Sequence, residues 1–287
     1  MAVITNKIFN EDCLLTINRL QDKSVNLVVT SPPYEDVMSY GKTVSNKTSN
    51  DYIDWLCMIF GNLYDKVTDD GSVIINLGTK CDKGFRSDVV FRFIISIQNT
   101  GWKLYDVYVW SKPNGLPNGS NRRLNQSHEY IIHLSKIPKI KANVDEVRLP
   151  YSENTDKRYK YKVFKARNKV IDENGLRLCQ TPSRILSRKK IGKIPSSVLK
   201  FSTAGALKDK PQNQHPAAFH PDLPTFFIKW LTERNDVVYD CFMGSGTTAL
   251  ASKQLGRNYI GSEINKTYMK LIDETLKSNS LEEIISY

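Results

Sequence analysis

The chain has 287 residues, 40% hydrophobic and 25% charged, enough to bury a large core in one domain or in one domain plus an inserted module. It has no apolar run of about 18 residues, and residues 1–10 lack a basic stretch followed by an apolar one, so we expect neither a membrane span nor a signal peptide, and expect a cytoplasmic location. Five scattered cysteines (Cys13, Cys57, Cys81, Cys179 and Cys241) without a C-x-x-C pair argue against a disulfide framework and a zinc site, while a net charge of +11 points to a phosphate-rich partner.

In chain order, residues 7–10 predict a short strand, and residues 14–20 have helical spacing. Val25–Val29 is an apolar, β-branched run that reads as a buried strand. It leads into Thr30-Ser31-Pro32-Pro33-Tyr34, where two prolines without N–H groups force the chain out of the sheet. That exit carries a hydroxyl, carbonyls beside prolines and an aromatic ring. Such a set can accept hydrogen bonds from an amino group while a flat ring stacks alongside. No activating base lies nearby, so nucleophilic catalysis by Ser31 is not indicated, and a Pro-Pro turn closing a strand explains the same residues. Residues 35–50 are polar and predict a lid or binding loop.

Residues 51–67 carry an apolar helical face, 69–71 (Asp-Asp-Gly) read as a turn, and 72–77 as a strand. A helix over 87–99 and a strand over 102–110 follow. Residues 112–126 predict a loop containing Arg122 and Arg123, which face either phosphate or solvent, and 128–134 predict a strand with His128 and His133 on opposite faces. From Lys136 to Lys210 there are 20 Lys and Arg against 7 Asp and Glu, so this one segment, net +13, holds all the excess charge. Turn residues interrupt it and aromatic residues are interleaved with the basic ones, so residues 136–212 predict a separate small domain, with Lys157, Arg158, Arg188, Lys189 and Lys190 as candidate phosphate contacts. A solvated basic insertion is the alternative. Helices are then expected over 223–231, 247–255 and 266–277, and strands over 236–241 and 258–261. His215 and His220 lack further ligands nearby, so no metal site is expected.

Gly244-Ser245-Gly246-Thr247-Thr248-Ala249 matches G-x-G-x-x-G/A between a strand and a helix, and Glu263 lies 19 residues after Gly244 at the end of the next strand. Glycines let backbone approach a ligand closely, and a carboxylate at that position can take both hydroxyls of a ribose, so an adenosine-bearing cofactor is expected. A nicotinamide-binding chain would place this unit first, with several βα units after it. Here the remaining strands must come from the N-terminal half, giving seven in an α/β parallel sheet of permuted order. The carboxyl ends of those strands carry Asp12, Ser31, Phe242, Gly244 and Glu263.

In this order the motifs resemble the β-class of amino-specific DNA methyltransferases, across most of the chain outside 136–212. The resemblance implies a Rossmann-like methyltransferase sheet of seven strands with a circularly permuted motif order and an inserted DNA-recognition domain. Residues 1–135 would form the catalytic half and 213–287 the cofactor half. It implies S-adenosyl-L-methionine as cofactor and double-stranded DNA as substrate, with a cognate restriction endonuclease as a possible partner. Ser31, Pro32, Pro33 and Tyr34 match the catalytic motif. Asp240, Phe242, Gly244, Ser245, Gly246 and Thr247 match the cofactor loop, Glu263 the ribose acid, Asp12 the acid that contacts the adenine amine, and His215 the segment over the methionine end. Asn10-Glu11 departs from the family's usual apolar-Gly before that Asp.

By the same resemblance, serine before Pro-Pro-Tyr favours the N4 amine of cytosine, and Asp or Asn the N6 amine of adenine. No Pro-Cys pair is present, which excludes thiolate-dependent methylation at cytosine carbon 5. An adenine-N6 enzyme, an RNA methyltransferase, and a DNA-binding protein with a vestigial cofactor site remain the alternatives.

Overall fold

Buried strands require covering helices on both faces of a sheet, and the apolar runs of this chain meet that requirement. The structure, a computed structural model, describes residues 4–35, 49–82, 84–113, 122–151, 192–202 and 220–277. The strands are β1 (Lys7–Phe9), β2 (Val25–Thr30), β3 (Val67–Leu77), β4 (Cys81–Asp82), β5 (Phe85–Arg86), β6 (Lys103–Ser111), β7 (His128–Ser135), β8 (Val198–Lys200), β9 (Val237–Asp240) and β10 (Asn258–Ser262). The helices are α1 (Cys13–Arg19), α2 (Ser49–Asn62), α3 (Val89–Ile97), α4 (Asp222–Leu231), α5 (Thr247–Gln254) and α6 (Lys266–Lys277).

Eight strands form one sheet in the order β1-β10-β9-β2-β3-β7-β6-β8, while β4 and β5 form a separate ribbon. From Leu27 on, alternate residues of β2 face opposite sides, and the register shift between Val25 and Leu27 leaves Val25 on the side of Val28. Val25 and Val28 join a core with α1, α2 and α3, built on Ile17, Leu56, Phe60 and Phe93. Leu27 and Val29 join a second core with α4, built on Leu223, Phe227 and Leu231. Each such fully buried side chain contributes roughly 1.5–3 kcal/mol relative to exposure.

Four expectations change. The sheet is mixed rather than parallel, because β7 runs antiparallel to both β3 and β6. A parallel return from β6 would need a long crossover, usually helical, and residues 112–127 contain no helix among the described residues. The sheet has eight strands rather than seven. The extra strand, β8, pairs parallel with β6 at the edge and lies inside the stretch expected to be an insertion. Its three residues were too short a signal inside a basic segment.

The Asp69-Asp70-Gly71 turn is absent too, since β3 is continuous through it. Val25 pairs with Val67 and Leu27 with Ser72, so the extra residues of β3 bulge opposite Asn26. Gly71 permits the bulge: a Cβ there would lie 2.7 Å from the Asn26 carbonyl oxygen, Thr68 Oγ1 and Val67 Cγ1. The helix expected over 51–67 also stops at Asn62, and a turn over 63–66 leads into β3 at Val67.

The chain divides into two compact units, Met1–Asn143 with Ser197–Tyr287, and Val144–Ser196. In the second, the described residues include an antiparallel bridge between Leu149 and Lys193, with Arg148 donating to the Gly192 carbonyl at 2.9 Å. No helix of the described residues is long and apolar enough to cross a membrane.

Candidate active site

Strand direction decides which residues can meet. β1, β10, β9, β2 and β3 run parallel, so their carboxyl ends share one edge, and antiparallel β7 brings its amino end to that edge. Ser31 therefore leaves β2 beside Asn76 near the end of β3 and Glu129 near the start of β7. The Ser31 hydroxyl donates to the Asn76 carbonyl at 3.3 Å. The Asn76 side-chain amide lies 3.5 Å from Ser31 Oγ, 3.0 Å from Tyr34 Oη and 2.8 Å from Glu129 Oε2. Tyr34 donates to the same Glu129 oxygen at 2.6 Å, and Lys112 pairs with the other.

This cluster fixes the proline exit in place. Tyr52 donates to the Pro33 carbonyl at 2.7 Å, and the Tyr34 ring lies against Gly78, where a Cβ would come within 2.8 Å of Tyr34 Cε2. Burial, and then the neighbouring Glu129 carboxylate, push the Tyr34 hydroxyl well above its ordinary pKa, so it remains a donor. Asn76 is only 2% exposed, and its Oδ1 has no hydrogen-bond partner among the described residues. A buried acceptor left without a donor is costly, but Oδ1 is enclosed, so the acceptor that a ligand's N–H groups can reach at this strand end is the half-buried Ser31 hydroxyl.

The glycine loop stands at the adjoining strand end. Gly244 and Gly246 have φ of +56° and +86°, which favour glycine. Ser245 Oγ lies 3.1 Å from Thr247 Oγ1, and Thr247 opens α5. Glu263 is buried. Its carboxylate accepts from the Gly244 N–H at 2.8 Å and the Asn265 N–H at 2.7 Å, so it shapes the loop directly. Burial raises its pKa, and those N–H bonds oppose the rise. Asn10, in the non-family position, donates to the Glu263 carbonyl at 2.7 Å and so ties the end of β1 to this turn. Asp12 caps α1, accepting from the Leu14 N–H at 2.8 Å. The Phe242 ring lies 5.6 Å from that of Trp55 on α2.

Asp240 has a different position from the one expected of a ligand-contacting residue. Its Oδ1 accepts from Thr30 Oγ1 at 2.6 Å and the Phe242 N–H at 3.0 Å, and its Oδ2 from Thr248 Oγ1 at 2.6 Å. It is 1% exposed. It joins the last residue of β2 to the first turn of α5, and its oxygens are occupied in doing so. Burial raises its pKa.

Arg122 and Arg123 are exposed, and the Arg123 guanidinium reaches the Gly84 carbonyl of the β4–β5 ribbon. Lys157, Arg158, Arg188, Lys189, Lys190 and His215 lie outside the described residues. Among the described residues no cluster of His, Cys, Asp or Glu could hold a metal. Sequence reasoning missed Asn76, Glu129 and Lys112. A lone Asn inside Val73–Leu77 was a signal, because an amide in a buried strand needs partners.

Comparison with known proteins gives a consistent result. The N6_N4_Mtase family model, described as DNA methylase, matches residues 25–274. The type II methyltransferase M.BglII of Bacillus subtilis is 30% identical over 278 residues, spanning 94% of this chain and 69% of that protein. The type II methyltransferase M1.MboII of Moraxella bovis is 30% identical over 282 residues, spanning 96% and 98%. The solved structure of the PvuII DNA methyltransferase (cytosine-N4-specific) superposes with a TM-score of 0.72 at 24% identity, covering 99% of this chain and 91% of that one.

Proposed function

The chain belongs to the N6_N4_Mtase family of DNA methylases, and from that premise we propose that it methylates the exocyclic N4 amine of a cytosine flipped out of duplex DNA, at a specific sequence and within a restriction–modification system. The observation that carries an amine as target is the proline exit at the end of β2, where Ser31 Oγ, held by its hydrogen bond to the Asn76 backbone carbonyl at 3.3 Å, stands next to the Pro32 carbonyl. An exocyclic amine has two N–H groups to offer these two acceptors. Serine at position 31, rather than Asp or Asn, favours cytosine.

S-adenosyl-L-methionine, the family's methyl donor, supplies a methyl group already activated on a sulfonium. The residues suited to hold it are the positive-φ glycines 244 and 246, the Glu263 carboxylate, Asp12 and Phe242. An aromatic amine is a weak nucleophile because its lone pair is conjugated into the ring. Hydrogen bonds from its N–H groups to Ser31 Oγ and the Pro32 carbonyl favour a pyramidal nitrogen with a localised lone pair. Tyr34, anchored by Glu129, stacks on the base. The methylated ammonium is acidic, so Ser31 serves as an acceptor that positions the amine and no strong base is required.

The amine is unreachable inside a duplex, so flipping precedes transfer and costs a few kcal/mol. The basic segment, including Lys157, Arg158 and Arg188–Lys190, offsets that cost through phosphate contacts and reads the sequence. In this reading the recognition region, residues 136–212, is an insertion into a sheet of permuted motif order. Digestion of DNA exposed to the protein, followed by mass spectrometry of the nucleosides, should yield N4-methylcytosine. N6-methyladenine without N4-methylcytosine would refute the choice of base.

A further inference from the structure

The β4–β5 ribbon follows β3 directly, and both of its roots are fixed to the catalytic segment. At one root, Gly78 packs against the Tyr34 ring. At the other, the Ser87 hydroxyl donates to the buried Glu35 carboxylate at 2.9 Å. The ribbon is braced as well as rooted. Ser87 N–H donates to the Lys80 carbonyl at 3.0 Å, and Arg86 to the Thr79 carbonyl at 3.3 Å. Arg86 also reaches Gln126, which donates to Thr79 Oγ1 at 3.1 Å, and Arg123 holds the Gly84 carbonyl.

On this braced ribbon Phe85 is 79% exposed. An exposed phenylalanine gains nothing for the fold, and Gly84 beside it has φ +83° with open space around its Cβ position. Arg86 follows it in β5, Arg123 reaches the Gly84 carbonyl just before it, and the exposed Arg122 precedes Arg123 in the bracing segment. A protein-binding patch would favour more apolar neighbours. An exposed ring on a ribbon whose own strand and bracing segment carry arginines suits a polyanion with stacked aromatic bases. Apolar side chains that enter a base step unstack it, and the gap left by an extruded base is lined by the flat faces of its neighbours.

We propose that Phe85 is a DNA-inserting residue, whose ring enters the duplex beside the target nucleotide and occupies the gap left when the base is flipped toward Ser31, while Arg86, Arg122 and Arg123 hold the flanking phosphates. This rests on the methyl-transfer reading above, which placed no residue in the duplex itself. The ribbon's two roots on Tyr34 and Glu35 set the register between the inserted ring and the pocket that receives the base.

The test uses the full chain and oligonucleotide duplexes carrying the site mapped from its own methylation of plasmid DNA. Single-turnover methyl transfer is measured for wild type, Phe85→Ala and Phe85→Leu, on the matched duplex and on one whose target base is mispaired. Because a mispaired base flips easily, Phe85→Ala should slow transfer about tenfold or more on the matched duplex and approach wild type on the mispaired one. Phe85→Leu should fall between the two. Equal slowing on both duplexes, or slowing on neither, would overturn the proposal while leaving the methyl-transfer reading intact. If wild-type protein methylates neither duplex nor plasmid DNA, the reading fails and this inference fails with it.

Discussion

Glu129→Gln isolates the contribution of one charge to the placement of two other side chains. In the wild type, Glu129 Oε2 receives Tyr34 Oη at 2.6 Å and Asn76 Nδ2 at 2.8 Å, while Oε1 pairs with Lys112. Hydrogen bonds to charged groups are each worth roughly 1.5–3 kcal/mol. Glu129 is only 8% exposed, so Glu129→Ala strands a tyrosine hydroxyl, a buried amide and the Lys112 ammonium together, and should cost about 3–5 kcal/mol of stability. Gln keeps the volume and one acceptor, so the folded protein survives with the Tyr34 ring and the Asn76 amide less firmly held. A displacement of that kind should lower kcat by roughly 10- to 100-fold. Methyl-donor affinity, measured by calorimetry, should hold, because among the described residues no hydrogen bond joins the glycine loop or Glu263 to this cluster. Transfer of labelled methyl groups to duplex DNA provides the rate. A kcat within about threefold of wild type, with the fold intact by thermal denaturation, would refute the idea that Glu129 sets the geometry of the pocket.

Other outcomes follow from the same structure. Ser31→Ala should cut turnover strongly while leaving methyl-donor affinity near normal by calorimetry, and unchanged turnover would remove its assigned role. Gly71→Ala forces a Cβ to within 2.7 Å of the Asn26 carbonyl oxygen, and should lower stability in denaturant titration by about 1–3 kcal/mol, the cost typical of overpacking. His133 is wholly buried, bonded to Tyr108 Oη at 3.0 Å and Ser72 Oγ at 2.9 Å, and burial depresses its pKa from 6.5 to about 3. The unfolded chain binds this proton first, so stability from this site is complete above pH 6.5 and is lost as pH falls toward about 3. Between those limits the slope approaches 1.4 kcal/mol per pH unit, and His133→Gln should flatten the urea-derived stability profile there by about one proton.

The features legible in the sequence were those written in short contiguous stretches. β2 and its proline exit, the glycine loop and the acid after β10 each carry their signal within a few residues. The Asp69–Gly71 bulge was not legible, because two aspartates and a glycine signal a turn locally and only the pairing with Asn26 keeps the strand intact. The direction of β7 was equally hidden, since an apolar run has the same pattern in either orientation. That direction decides whether Glu129 faces the catalytic edge or the opposite one, so the Glu129 cluster could not be assembled before the topology was known. Asp240 could be located by motif, but its role could not. Its two hydroxyl partners are 210 and 8 residues away, and only the fold shows that they occupy it.

The Thr30–Asp240–Thr248 clasp also bears on how such a chain tolerates rearrangement. β2 and β9 are adjacent in the sheet, pairing Leu27 with Val238 and Val28 with Tyr239, although more than 200 residues separate them in the chain. The spacing between the proline exit and the glycine loop is therefore set by strand pairing and one buried carboxylate, with no dependence on the covalent path between them. A segment along that path can lengthen, shorten or be exchanged for another while the geometry at this seam stays fixed. By the same logic, two separately expressed pieces divided between β7 and β8 would each carry one side of this seam and have the means to reassemble along it.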